Sequence, residues 1–375
     1  MNNTTVKQQQ LPQFLEETSL CSQKFHNLHD IETQRIQSLF QDPSNSDPSS
    51  KGQWSIKDAL DPKNSNRNRY TNILPFDHNR VRITTAKSRA GNSGEEPNDY
   101  INASLISLDL GKDQSIGAKE YIATQGPTRR TIGHFWQMLY SVTENVYGAD
   151  SAVILMLTPV FERGREACAP YWPRKVGEEL EVPNDDSFDK LLQVTCVSVE
   201  QVVPKLGDHS QYPHVKTVLK LKSPEDNVEK TIYHIHVDTW VDFDRPTADG
   251  EIFSLVRLVE SLQRKAAPSK TAVASKEMPL VVHCSAGVGR TGTYLALDYM
   301  LTRSKLLLPG DKKHGTTQQI NHQNQINSRD VTTDPIYELV LSMREQRMEM
   351  VQRISQYRYI YENVKEEYLS GGSSR

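Results

Sequence analysis

Three stretches of the chain predict an α/β (α+β) domain, a highly twisted mixed β-sheet flanked by helices. Residues 191–240 contain alternating apolar and polar runs, over 191–197 and 215–221, that read as antiparallel strands. Residues 249–264 and 292–308 place apolar side chains at helical spacing. Between those two helical stretches stands Val281-Val282-His283-Cys284, an apolar strand that ends in a cysteine and passes through small residues into a helix.

The remaining segments fit around one domain. A length of 375 residues leaves room for one large domain or two small ones. Residues 1–13 are rich in Asn and Gln, poor in apolar side chains, and expected to be a disordered tail. Over 14–41 the apolar positions Phe14, Leu15, Leu20, Phe25, Leu28, Ile31, Ile36 and Phe40 are compatible with short helices. A Ser/Pro/Asn linker follows over 42–52, and polar insertions are expected at 265–277 and 311–330. No internal repeat interrupts the chain, and one domain is expected over 14–370, with a disordered C-terminus at 371–375.

Composition narrows the partners. A net charge of −3 provides no basic excess for nucleic acid. No apolar run approaches the ~18 residues of a membrane span, and no signal peptide is recognisable. With four cysteines, Cys21, Cys168, Cys196 and Cys284, a disulfide framework is not expected, and a reducing compartment is: cytoplasmic, or nuclear. The histidines form no compact ligand cluster with cysteines or carboxylates, so neither metal nor other cofactor is expected. A monomer is the expected state.

The chemistry is concentrated in residues 283–291. After His283 and Cys284 come Ser285, Ala286, Gly287, Val288 and Gly289, then Arg290 and Thr291. Such a loop can wrap its backbone N–H groups around a tetrahedral dianion, with the helix N-terminus adding its positive end. Gly287 and Gly289 permit the close backbone approach that an anion nest needs. Arg290 can return over the loop and grip two oxygens. Convergent N–H dipoles and the arginine favour the thiolate of Cys284, the nucleophilic form. Thr291 can donate to the sulfur and ease its later departure.

Other segments stand in register with this loop. They are Arg67-Asn68-Arg69-Tyr70 with Pro75-Phe76-Asp77 and Arg80-Val81, Asn98-Asp99-Tyr100-Ile101-Asn102-Ala103-Ser104, Tyr121-Ile122-Ala123-Thr124-Gln125-Gly126-Pro127, and His134-Phe135-Trp136-Gln137-Met138. Further along come Glu162-Arg163-Gly164-Arg165-Glu166-Ala167-Cys168, Tyr171-Trp172-Pro173, Thr239-Trp240-Val241-Asp242-Phe243-Asp244-Arg245-Pro246, and Arg347-Met348-Glu349-Met350-Val351-Gln352 with Gln356. From residue 67 to 356 the chain resembles a classical protein tyrosine phosphatase, of the non-receptor kind found in fungi.

That resemblance implies the cysteine-based tyrosine phosphatase fold, phosphotyrosyl proteins as partners and a role in signal transduction. It implies that Tyr70 stacks on the substrate ring and sets a pocket too deep for phosphoserine. Glu162 would brace Arg290, Asp242 would be the general acid, and Phe243 would pack on the substrate ring. Gln352 would hold the water that attacks the phosphocysteine, with Gln356 on the same face if the segment is helical. The chain also departs from the family pattern. Val241 replaces the loop proline, Asp244 and Arg245 replace a small glycine-led pair, and Asp244 is a rival acid. Ala167 falls where a lysine is common, Asn72 where many relatives carry an aspartate that bonds the peptide backbone, and Glu349 where some have glycine.

Three other readings compete. A dual-specificity or phosphoinositide phosphatase shares Cys-x5-Arg, but not Tyr70 and the long scaffold motifs. A phosphotyrosine-binding pseudophosphatase draws support from Val241 and Ala167. Rhodanese-like sulfur transfer shares only a loop.

Overall fold

The computed structural model describes residues 11–16, 18–41, 54–84, 98–110, 118–184, 188–205, 208, 210–240, 252–266, 277–304 and 334–370. Residues 1–10 of the tail expected over 1–13, the linker at 42–52, most of the insertion at 265–277, the insertion at 311–330, the C-terminus at 371–375 and the segment carrying Asp242 lie outside these. The rest of that expected tail is ordered instead, because Leu11 packs against the core and Gln13 opens the first helix.

Helices α1 (Gln13–Glu16), α2 (Cys21–Gln41) and α3 (Lys57–Leu60) precede the sheet. Strands β1 (Arg80–Arg82), β2 (Tyr100–Leu108) and β3 (Lys119–Thr124) lead to α4 (Ile132–Ser141) and β4 (Ser151–Met156). A hairpin of β5 (Phe161–Glu162) and β6 (Arg165–Glu166) follows, then β7 (Glu179–Glu181), β8 (Gln193–Val202), β9 (His214–Ser223) and β10 (Val228–His236). The chain continues through α5 (Ile252–Ala266), β11 (Leu280–His283), α6 (Gly289–Thr302), α7 (Pro335–Gln346) and α8 (Ile354–Ser370).

Among the described residues nine strands form one sheet, in the order β1-β2-β3-β11-β4-β10-β9-β8-β7. Its centre is parallel, with β11 between β3 and β4 and β4 paired to β10. Its two margins are antiparallel, and the alternation in 191–240 predicts the one that contains β8, β9 and β10. The central strand β4 shows no alternation because both of its faces are buried. Val153 and Leu155 join the core under α5 and α6, while Ala152, Ile154 and Met156 join the core under α4.

The N-terminal region differs from the short helices expected over 14–41. Most of it is one 21-residue helix, α2, lying against α7 and α8. Its apolar side is sparse, so periodicity alone splits it. The helix expected over 292–308 starts instead at Gly289, because the loop after Cys284 turns directly into its first turn, and ends at Thr302. Every residue of α6 is buried, since the sheet covers one side and α5, α7 and α8 cover the others.

A buried ion pair seats α6 on the sheet. Asp298 of α6 pairs with Lys119 of β3 at 2.5 Å and accepts the Tyr121 hydroxyl at 2.6 Å. Removing the carboxylate strands a buried ammonium. Asp298→Ala should therefore cost about 3–5 kcal/mol of stability, measured by urea denaturation; a loss below about 1 kcal/mol would contradict this packing.

Candidate active site

Parallel strand β11 delivers Cys284 to the C-terminal edge of the sheet, where α6 begins. The loop between them is wedged against the strand-end backbone on both sides. A Cβ on Gly126 would come within 2.7 Å of the Cys284 carbonyl oxygen. Gly287 has φ +72°, and a Cβ there would sit 2.0 Å from the Thr124 carbonyl oxygen, so glycine is required at this turn.

Arg347, at the end of α7, sets the direction of the loop's peptide planes. It is fully buried; its Nε donates to the Gly287 carbonyl at 2.9 Å and its Nη2 to the Ala286 carbonyl at 3.1 Å. It is anchored from behind by Ser104 and Asn102, at 3.2 and 2.8 Å. In a planar trans peptide the N–H points opposite to the C=O. Turning the carbonyls of Ala286 and Gly287 outward therefore turns the N–H groups of Gly287 and Val288 inward. The Gly287 N–H donates to the Cys284 sulfur at 3.2 Å, and the Val288 N–H also stabilises it. Burial lowers the Arg347 pKa to about 10, which leaves the guanidinium charged at neutral pH.

The Cys284 thiol is only 3% exposed. Burial pushes its pKa up, but the Arg290 charge, the Thr291 hydroxyl and the N–H groups of Thr291 and Val288 outweigh that, and the pKa is lowered. Among the described residues the buried Thr291 hydroxyl has no oxygen or nitrogen partner, as a group reserved for the sulfur would.

Arg290 is held by the segment expected to brace it. Its Nη1 and Nη2 donate to the two carboxylate oxygens of Glu162 at 3.2 and 3.0 Å, and Nη1 also donates to the Trp240 carbonyl at 2.9 Å. Glu162 sits on a β-hairpin whose two turn residues, Arg163 and Gly164, have φ of 51° and 77°. Positive φ at both positions suits the twist of paired strands. Trp240, fully buried, immediately precedes the segment with Asp242 and Phe243, which lies outside the described residues.

Tyr70 joins the site through Ser285. Its hydroxyl lies 2.8 Å from Ser285 Oγ, which itself donates to the Ala167 carbonyl at 2.8 Å. Ser285 having spent its proton, Tyr70 is the donor. The Arg165 guanidinium lies 5.9 Å from the Tyr70 ring centre. Ala167 thus contributes its carbonyl to the loop frame, and its side chain is buried. Asn72 is exposed beyond Tyr70.

His283 does not face the pocket. Its ring is buried on the other side of the strand, with Nδ1 3.1 Å from the Cys284 carbonyl and Nε2 2.8 Å from the Tyr171 hydroxyl. Tyr171 also meets His234 Nε2 at 2.8 Å. The network assigns Nδ1–H to His283, so Tyr171 donates to its Nε2 and accepts from His234. Burial lowers the His283 pKa to about 3, so the ring is neutral and orients the backbone of Cys284.

Gln352 and Gln356 both approach Gly289. A Cβ on Gly289 would lie 3.0 Å from Gln356 Nε2 and 3.5 Å from Gln352 Cβ. They do not share a helical face, because α8 starts at Ile354, after Gln352. The turn before α8 brings them together instead.

Two arginines central to this frame are not singled out by sequence reasoning. Arg347 is one. The other is Arg69, whose Nε, Nη1 and Nη2 donate to the carbonyls of Gly126, Glu166 and Pro127 at 2.9, 2.8 and 2.7 Å. It ties the Tyr70 segment to the Glu162 hairpin. The only sequence signal for either is its place inside a motif.

A family profile described as Protein-tyrosine phosphatase matches residues 64–366. The chain belongs to the protein-tyrosine phosphatase family. It is 36% identical over 323 residues to Tyrosine-protein phosphatase 1 of Saccharomyces cerevisiae, covering 83% of this chain and 85% of that relative. It is 30% identical over 343 residues to Tyrosine-protein phosphatase 1 of Schizosaccharomyces pombe, covering 91% of this chain but 50% of the relative. Among solved structures, PTPN18 in complex with HER2-pY1248 phosphor-peptides aligns with a TM-score of 0.63 at 24% identity, covering 93% of this chain and 99% of that one, and so shares the fold. The protein is thus a protein-tyrosine phosphatase, a phosphoric monoester hydrolase. No described helix is long and apolar enough to cross a membrane.

The lowered pKa has a direct readout. Because the thiolate persists below the ordinary cysteine value of about 8.5, alkylation of Cys284 by iodoacetamide should stay fast as pH falls through that value and decline only further down. Arg347→Lys, which cannot hold both carbonyls, should move the midpoint up. A wild-type midpoint at or above about 8.5 would contradict the N–H nest.

Proposed function

We propose that one catalytic domain over 14–370 hydrolyses phosphotyrosine in proteins through a phosphocysteine intermediate, without metal. The observation that carries this reading is the inward orientation of the Gly287 and Val288 N–H groups on a buried, acid-shifted Cys284. Those same groups, with Arg290, suit the equatorial oxygens of a phosphoryl group in transfer.

In the first step the Cys284 thiolate attacks phosphorus. The P–O bond to tyrosine breaks as Asp242 gives the leaving oxygen its proton. In the second step water attacks the phosphocysteine, Asp242 takes the water's proton, and the sulfur leaves as thiolate with help from Thr291. Gln352 holds that water. Glu162 keeps Arg290 planar to the phosphoryl oxygens, and Tyr70 and Phe243 sandwich the substrate ring. Gln356 supports Gly289, and Asn72 offers an uncharged hydrogen bond to the substrate backbone. The expected setting is a cytoplasmic or nuclear monomer that acts on phosphotyrosyl proteins in signal transduction.

Steady-state hydrolysis of a phosphotyrosyl peptide, across pH and without metal, tests this. Wild type should turn over, Cys284→Ser should not, and Asp242→Ala should lose the alkaline limb of the profile. Arg290→Lys should lose at least about a hundredfold, because ammonium lacks the planar fork. Tight binding without turnover by wild type would overturn the proposal.

A further inference from the structure

The turn that carries Gln352 has an unusual backbone. Glu349 and Val351 both have positive φ, 57° and 58°, although neither is glycine. A β-branched residue is rarely found there, so the surroundings must hold the turn. Arg344 of α7 grips one side, donating from Nε to the Met350 carbonyl and from Nη2 to the Val351 carbonyl, both at 3.0 Å. The Val351 N–H donates to the Val288 carbonyl at 3.2 Å, docking the turn on the phosphate loop.

The other side is held from the N-terminal helix. Glu32 of α2 is 4% exposed. Its Oε1 accepts the Glu349 N–H at 2.6 Å, and its Oε2 lies 3.1 Å from Arg344 Nη1. The Glu349 carboxylate then accepts Gln352 Nε2 at 2.6 Å. A carboxylate can only accept, so Gln352 presents its amide nitrogen to Glu349 and keeps Oε1 as the atom that can accept a hydrogen bond from water. Helix α2 is itself fixed, by Lys24 to Asp334 at 2.6 Å and by Arg35 to the Arg344 carbonyl at 3.1 Å.

We infer that Glu32 is a positioning residue for the water-attack step: it holds Glu349 in place, and Glu349 orients the amide of Gln352. Glu32 lies outside the 64–366 stretch that matches the family, so the proposed role reaches the active site from α2, a helix beyond that stretch. The inference rests on the proposed role of Gln352 in the second step and adds how that residue is aimed. Where glycine stands at the Glu349 position, positive φ needs no such clamp. Glu349 here needs the clamp and in return supplies the carboxylate that sets the amide.

The two chemical steps separate in pre-steady-state kinetics with a chromogenic aryl phosphate. The burst reports phosphorylation of Cys284; the steady state reports hydrolysis once that step limits. Glu32→Ala and Glu349→Ala should lower steady-state kcat about tenfold, enlarge the burst and leave kcat/KM within about twofold, as Gln352→Ala should. Adding Glu32→Ala to Gln352→Ala should change kcat by less than about twofold, because both act through one group. Glu32→Gln, which keeps the acceptor oxygen for the Glu349 N–H, should restore most of the rate. If Glu32→Ala fails to fold, Glu349→Ala decides, since it uncovers no buried charge. Folded variants with wild-type kcat and no larger burst would overturn the inference, as would equal falls in kcat and kcat/KM. A wild type without turnover would instead defeat the functional reading itself.

Discussion

The active site depends on one buried guanidinium that is not itself at the reacting centre. Arg347 takes the carbonyls of two successive peptides, Ala286 and Gly287. Planarity of those peptides then commits the next N–H groups to the sulfur of Cys284. Without that hold, rotation of either peptide would present a carbonyl oxygen to the phosphoryl group and repel it. Gly287 completes the device, since only glycine accepts both its dihedral and its contact with Thr124. The thiolate, the oxyanion donors and the entry of the chain into α6 all follow from this fixed loop.

Around that loop the scaffold works in layers of hydrogen bonds to backbone. Arg69 holds the loops at Gly126, Pro127 and Glu166, and Arg344 holds the turn at Met350 and Val351. Each uses a planar fork to satisfy carbonyls that irregular segments cannot pair among themselves. Arg290 differs. Its partners are a carboxylate and the Trp240 carbonyl, so it connects the phosphate loop to the start of the segment that holds the proposed acid.

The centre of the candidate site was legible in the chain because it is local. Cys284, the glycines, Arg290 and Thr291 fall within one turn of sequence, and Glu162 lies in a compact motif that the fold brings to Arg290. The antiparallel margin of the sheet was legible because one face of it is wet, which leaves alternation in β8 and β9. Central β4 was not, because burial on both faces erases the alternation. The roles of Arg347 and Arg69 were hidden because an arginine's partners here are backbone carbonyls from distant loops, which leave no pattern of their own. His283 reads as part of the reactive motif, yet the pleat of β11 turns its ring away from the pocket, where it acts on the backbone. Glu32 was the least visible, a single acidic residue on a weakly amphipathic helix whose two partners lie more than 300 residues away.

The account stands or falls on Cys284 becoming covalently phosphorylated. Rapid acid quench of the enzyme with excess phosphotyrosyl peptide, followed by mass analysis of proteolytic fragments, addresses this directly. The account predicts one added phosphoryl group on the fragment containing Cys284, formed and lost within a single turnover, and absent in Cys284→Ser. Turnover by wild type with no phosphorylated cysteine at any quench time, or with the group on another residue, would contradict it.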